Sequence, residues 1–124
     1  MSELPPLIAV VDDDASVRRA IQRLIRALHL RVETYASGGE FLDSRPHHKP
    51  DCVILDLHMP GVDGFDVLLR LKDSHPREPV IFITGHDSPE AMERAQEAGA
   101  EELLRKPVND AVLLAAIQRV LKLA

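Results

Sequence analysis

Five polar side chains follow short apolar runs, and their types suit one another. Asp12 and Asp13 come after Leu7-Ile8-Ala9-Val10-Val11, and Asp56 comes after Cys52-Val53-Ile54-Leu55. Thr84 closes Val80-Ile81-Phe82-Ile83, and Lys106 stands before Pro107, shortly after Leu103-Leu104. The aspartates are hard oxygen ligands of the kind Mg²⁺ takes, an ion that keeps several waters and binds one or two carboxylates directly. Without a metal, clustered carboxylates repel one another and at least one holds its proton more tightly. The cation would therefore also keep Asp56 ionised, and aspartate is an established phosphoryl acceptor in covalent catalysis. The Lys106 ammonium and the Thr84 hydroxyl address the charge that spreads over phosphoryl oxygens in the transition state. The chemistry indicated is metal-assisted transfer of a phosphoryl group to a carboxylate.

For these residues to meet, the apolar runs must be strands of one sheet that end at one rim. Apolar runs alternate with amphipathic segments, the pattern of βαβ units feeding a parallel sheet. In such open sheets ligands bind outside the carboxyl ends of the strands. Leu7 to Val11 reads as a buried first strand. Asp14 then caps a helix whose Val17, Ile21, Leu24, Ile25 and Leu28 fall on one face, with Arg19, Arg23 and Arg26 on the outer face. Leu30 to Tyr35 alternates as an edge strand does, and Ser37 to Leu42 is a short helix. Arg45-Pro46-His47-His48-Lys49-Pro50 is a solvated loop, its prolines blocking regular structure.

Cys52 to Leu55 is the central strand. Met59-Pro60-Gly61-Val62-Asp63-Gly64 is turn chemistry, and Asp63 caps the helix carrying Phe65, Leu68 and Leu71. Pro76 and Pro79 bracket the next connection. Val80 to Ile83 is the fourth strand, Ser88-Pro89 opens a helix as cap and first-turn proline, and Gly99 ends it. Glu101 to Arg105 is a short fifth strand. From Asn109 a last helix turns Leu113, Ile117, Val120 and Leu121 inward.

The 124 residues make one domain, with a hydrophobic fraction of 45% and a charged fraction of 28% that are ordinary for a globular fold. A net charge of -5 leaves no basic surplus to displace counterions, so direct nucleic-acid binding by this domain is not expected. The single cysteine, Cys52, sits in an apolar run and reads as a small buried hydrophobe in a reducing compartment. No apolar stretch is long enough to span a bilayer and the first residues carry no signal-peptide pattern, so a cytoplasmic protein without membrane contact is expected.

The set Asp12, Asp13, Asp56, Thr84 and Lys106-Pro107 resembles the receiver domain of two-component response regulators. The stretch Asp56-Leu57-His58-Met59-Pro60-Gly61-Val62-Asp63-Gly64 is similar to that family's segment after its phosphorylated aspartate. Ile83-Thr84-Gly85-His86 resembles receivers of the nitrogen-fixation regulator type, which usually carry a DNA-binding domain behind them. The resemblance covers residues 1–124 as a single receiver domain, with its core at about 7–123.

It implies a flavodoxin-like α/β fold: a doubly wound, five-stranded parallel sheet of order 2-1-3-4-5 flanked by five helices. It implies Asp56 as the phosphoacceptor, served by a phosphohistidine on a sensor histidine kinase. Asp13 would bind Mg²⁺ directly, Asp12 mainly through water, and the backbone carbonyl of His58 would be a further ligand. Thr84 would move toward the phosphoryl group, Lys106 would ion-pair with it, and the Lys106-Pro107 peptide would be cis. His58 and His86 occupy positions that tune phosphoryl lifetime in the family, and kinases dock near the first helix. Partners implied are an output domain or effector protein and a phosphorylation-linked homodimer. In one departure, Leu103 stands where the family often has Tyr or Phe.

Two other readings use the same residues. One is a phosphatase or phosphotransferase of the aspartyl-phosphate type, which typically needs a compact D-x-D motif on one strand and a cap domain. The other is a phosphorylation-independent interaction module of the same fold. The expected protein is a signalling switch that catalyses its own phosphorylation and dephosphorylation, not an enzyme.

Overall fold

A computed structural model of the chain describes residues 4–44, 49–73, 78–85 and 89–123. Pro46, His47, His48, Pro76, His86 and Ser88 lie outside the described residues. Strands β1 (Leu7–Val11), β2 (Arg31–Tyr35), β3 (Cys52–Asp56), β4 (Val80–Thr84) and β5 (Glu102–Arg105) alternate with helices α1 (Ala15–Ala27), α2 (Gly38–Ser44), α3 (Gly64–Leu71), α4 (Pro89–Glu97) and α5 (Asp110–Leu123). All neighbouring strands pair parallel, in the order β2-β1-β3-β4-β5. The expected doubly wound α/β fold is the one observed.

Successive strand residues point to opposite faces, so each buried strand feeds two cores. Ile8, Val10, Cys52, Ile54, Ile81 and Ile83 pack with Ile21 and Ile25 of α1 and with Leu113, Ala116, Ile117 and Val120 of α5. On the other face Ala9, Val11, Val53, Leu55 and Phe82 pack with Phe41 of α2, Leu68 and Leu71 of α3, and Ala91 and Ala95 of α4. Such double coverage explains why β1, β3 and β4 read as unbroken apolar runs rather than alternating ones. Only half-buried or exposed residues occupy β2, as its edge position and alternating sequence require.

Element ends follow local hydrogen bonding. Asp14 caps α1 by accepting from the Ser16 and Val17 amides, and Asp63 forms a capping box with Asp66 at the start of α3. Asn109 Oδ1 accepts from the Ala111 and Val112 amides, so the last helix begins one residue later than expected. The second helix likewise starts after Ser37, whose Oγ accepts from the Glu40 amide, and it runs on to Ser44. Helix α4 closes with Gly99 at φ 94, its amide on the Gln96 carbonyl and the Ala100 amide on the Ala95 carbonyl.

Helix α1 closes in the same way but with His29 in the left-handed position, at φ 61. Its amide donates to Arg26 O, and the Leu30 amide reaches back to Ile25 O at 3.4 Å. That bond takes Leu30 out of the expected strand, which therefore starts at Arg31. A β-carbon in this conformation costs about 1 kcal/mol. Replacing His29 with glycine should raise stability by about 0.5–1 kcal/mol in urea unfolding, with an unchanged slope.

Candidate functional site

Strand register brings the polar residues to one level. Val11 pairs with Leu55, which sets Asp12 beside Asp56, and Asp56 pairs with Ile83, one residue before Thr84. Thr84 pairs with Arg105, one residue before Lys106. Asp56 and Thr84 are the last residues of their strands rather than the first beyond them. The Lys106 amide donates to the Thr84 carbonyl at 2.7 Å, and the Lys106-Pro107 peptide is cis.

Carboxylate oxygens of Asp12, Asp13 and Asp56 lie within 4.8 Å of one another. Asp12 is fully buried, Asp56 is 3% exposed, and Asp13 faces solvent. Lys106 Nζ stands 2.9 Å from Asp12 Oδ2 and 3.4 Å from Asp56 Oδ2. Asp12 Oδ1 accepts from the Asp14 amide at 2.8 Å, and Asp56 Oδ1 accepts from the His58 amide at 3.3 Å. Asp12 Oδ2 has the ammonium as its ionic partner but makes no directed hydrogen bond among the described residues. A buried carboxylate oxygen without a directed donor, in an all-oxygen cluster open to solvent at Asp13, fits a hard cation such as Mg²⁺.

Burial, and then the neighbouring Asp12 charge, push the Asp56 carboxyl up to about 6, against the opposing pull of Lys106 and the His58 amide. Burial disfavours the Lys106 charge, but the two carboxylates outweigh it and raise its pKa. Hydrogen bonds from the Ser16 side chain and amide, and from the Val17 amide, hold exposed Asp14 below the ordinary carboxylate range, as befits a cap. Cys52 is inert by the same physics: burial pushes its thiol up to about 12.

The β3–α3 turn depends on a close approach. A β-carbon on Gly64 would sit 2.6 Å from the Asp56 carbonyl oxygen and 2.9 Å from Leu57 Cα. Those are backbone atoms, which cannot rotate away.

All five residues singled out in the sequence stand in this cluster or on its rim. His58 is exposed, and Arg19, Arg23 and Arg26 face solvent. Arg18 was missed. Its Nη1 donates to the Asp12 carbonyl at 2.7 Å, a contact made only because α1 folds back over the β1–α1 loop. Its position one turn after Asp14 was the available signal. An apolar groove of about 460 Å³ runs from Lys106 and Pro107 past Val17, Ile21 and Leu24 of α1 to Leu113 of α5. Among the described residues no helix is long and apolar enough to cross a membrane.

A family model described as the response regulator receiver domain matches residues 8–118. The chain belongs to that family. It is 40% identical over 125 residues to the response regulator protein TodT of Pseudomonas putida, covering 100% of this chain and 55% of that protein. It is 38% identical over 107 residues to the DNA-binding transcriptional regulator NtrC of Klebsiella pneumoniae, covering 85% of this chain and 23% of that one. This receiver domain thus spans about half the length of TodT and a smaller part of NtrC. The crystal structure of a response regulator receiver protein from Burkholderia phymatum superposes with a TM-score of 0.84 at 49% identity, covering 96% of this chain and 97% of that one. For the Vibrio cholerae chemotaxis protein CheY4 the TM-score is 0.85 at 30% identity, over 94% and 98% of the two chains. Similarity to NtrC agrees with the nitrogen-fixation regulator resemblance.

Two outcomes follow from this geometry. A carboxyl whose pKa rises on folding contributes stability below its unfolded value, near 4, and loses that contribution as pH climbs through about 6. Asp56→Asn should therefore stabilise the metal-free receiver at pH 8 by about 1–2 kcal/mol once solvent screening is allowed for. The gain should shrink toward zero near pH 4 when urea unfolding is compared across that range. Gly64→Ala should cost about 2–3 kcal/mol in the same assay, because backbone must move to admit the methyl group.

Proposed function

We propose that Asp56 of this receiver domain accepts a phosphoryl group from a phosphohistidine of a sensor histidine kinase, in a Mg²⁺-dependent reaction. One observation carries the reading: the Asp56 carboxyl is nearly buried yet faces both a metal-suited acidic cluster and the Lys106 ammonium. Asp12, Asp13, Asp56 and the His58 carbonyl oxygen would hold the ion, Asp12 mainly through water. Bound there, Mg²⁺ supplies positive charge for the phosphoryl oxygens.

The chain's own residues do the rest. An ionised Asp56 oxygen attacks phosphorus as the bond to the donor imidazole nitrogen breaks. Lys106 is already charged and within 3.4 Å of Asp56 Oδ2, so it can follow the incoming oxygens without crossing the site. Thr84 offers its hydroxyl from the end of the adjacent strand. The Thr84 carbonyl is tied to the Lys106 amide, so movement of either residue displaces the loop of the other. That coupling makes the domain a switch, in which added charge at one carboxylate reorganises the ends of β4 and β5. Kinase docking is assigned to the α1 side, where the groove beside Lys106 and the exposed arginines lie. The output is an attached domain or effector protein.

Incubation with acetyl phosphate and Mg²⁺ should add one phosphoryl group to Asp56, detected by mass spectrometry of the intact chain. Chelating the metal should suppress the reaction and Asp56→Ala should abolish it. Labelling at another residue, or labelling indifferent to Mg²⁺, would overturn the assignment. Turnover of a phosphate ester beyond one equivalent would point to an enzyme of the aspartyl-phosphate type.

A further inference from the structure

Three polar groups of Asp12 make hydrogen bonds, and the fourth, Oδ2, has only an ionic partner. Its amide donates to the Tyr35 carbonyl at 3.1 Å, and its Oδ1 accepts from the Asp14 amide. Its Oδ2 faces Lys106, and its carbonyl oxygen accepts from Arg18 Nη1 at 2.7 Å. The last of these is not a sheet or turn contact. It comes from half-buried Arg18 in the first turn of α1, reaching back over the loop.

The carbonyl of Asp12 belongs to the peptide that joins it to Asp13. Rotation of that peptide swings the Cα–Cβ bond of Asp13, the exposed member of the cluster. A charge-assisted bond to the carbonyl removes this freedom. We propose that Arg18 is a positioning residue, which fixes the Asp12–Asp13 peptide so that both carboxylates converge on the cation. This deepens the Mg²⁺-dependent reading of the site and rests on it.

Two physical effects of Arg18 have opposite signs, and that makes the inference testable. As a positive charge near the site, Arg18 repels a divalent cation, so its removal alone would tighten Mg²⁺ binding. As the clamp on the peptide, its removal loosens the ligand pair and weakens binding. Groups that orient metal ligands typically contribute tenfold or more to affinity. Because this one acts through the backbone, a loss of about three- to tenfold is expected.

The test compares wild type, Arg18→Met and Arg18→Lys, titrated with Mg²⁺ alone at about 0.15 M ionic strength. Amide resonances of the loop are followed by NMR, and thermal unfolding verifies that each variant is folded. Arg18→Met should bind Mg²⁺ about three- to tenfold more weakly. In the metal-free protein it should also shift the Asp13 and Asp14 amide resonances and speed exchange of the Asp14 amide. Arg18→Lys keeps a charged donor and should recover most of the affinity. If Arg18→Met does not fold, Arg18→Gln takes its place with the same expectation. Binding by the Met or Gln variant as tight as wild type, or tighter, would overturn the proposal. Modification of wild-type Asp56 by acetyl phosphate at saturating Mg²⁺ is followed alongside. A wild type that binds Mg²⁺ but is not modified would sink the phosphoacceptor reading and leave the Arg18 result to be judged on affinity.

Discussion

The site depends on one ammonium shared between two buried carboxylates. Asp12 and Asp56 lie almost wholly out of water, where like charges repel with little screening. Lys106 stands within ion-pair distance of both. Even so, Asp56 retains its proton more strongly than a free aspartate does. The arrangement is therefore underneutralised, and a divalent cation entering beside exposed Asp13 would complete the charge balance.

That charge pattern exists only because the strands are in register. Asp12 just after β1, Asp56 of β3, Thr84 of β4 and Lys106 just after β5 share a level because each strand pairs with its neighbour at the matching step. A slip of one residue in β3 would exchange the faces of Val53 and Ile54 and carry Asp56 out of the cluster. Register is specified by burial: residues on both faces of β3 are wholly excluded from solvent. The two cores thus secure the chemistry as well as the fold.

The same packing links the rim to more distant surfaces. Phe82 lies two residues before Thr84 and pairs across the ladder with Leu103. Its ring meets the Phe65 ring edge-on, at a centroid distance of 5.8 Å. Above Phe65 lies the guanidinium of Arg94 from α4, at 3.9 Å. A packed path through Phe82 and Phe65 thus joins the end of β4 to α4 without an aromatic residue at 103. Leu103 itself packs against the core on that face.

Apolar runs, caps and the alternation of element types were legible in the sequence because they are local. Five strands, five helices and their parallel order followed from them together with the receiver resemblance. The caps at Asp14 and Asp63 were legible because a short acceptor before a helix has one evident use. Element ends were less so: the closing of α1 by His29 depends on backbone geometry that glycine usually signals, and here no glycine marks it. Asp12, Asp13, Asp56, Thr84 and Lys106 could be named from residue type and position alone. Their separate environments could not. Tertiary structure alone decided that Asp12 is buried while Asp13 faces water, that Lys106 bridges Asp12 and Asp56, and that Arg18 grips the loop. The physical reason is that desolvation and charge pairing depend on atoms brought together from distant parts of the chain, and only packing sets those distances.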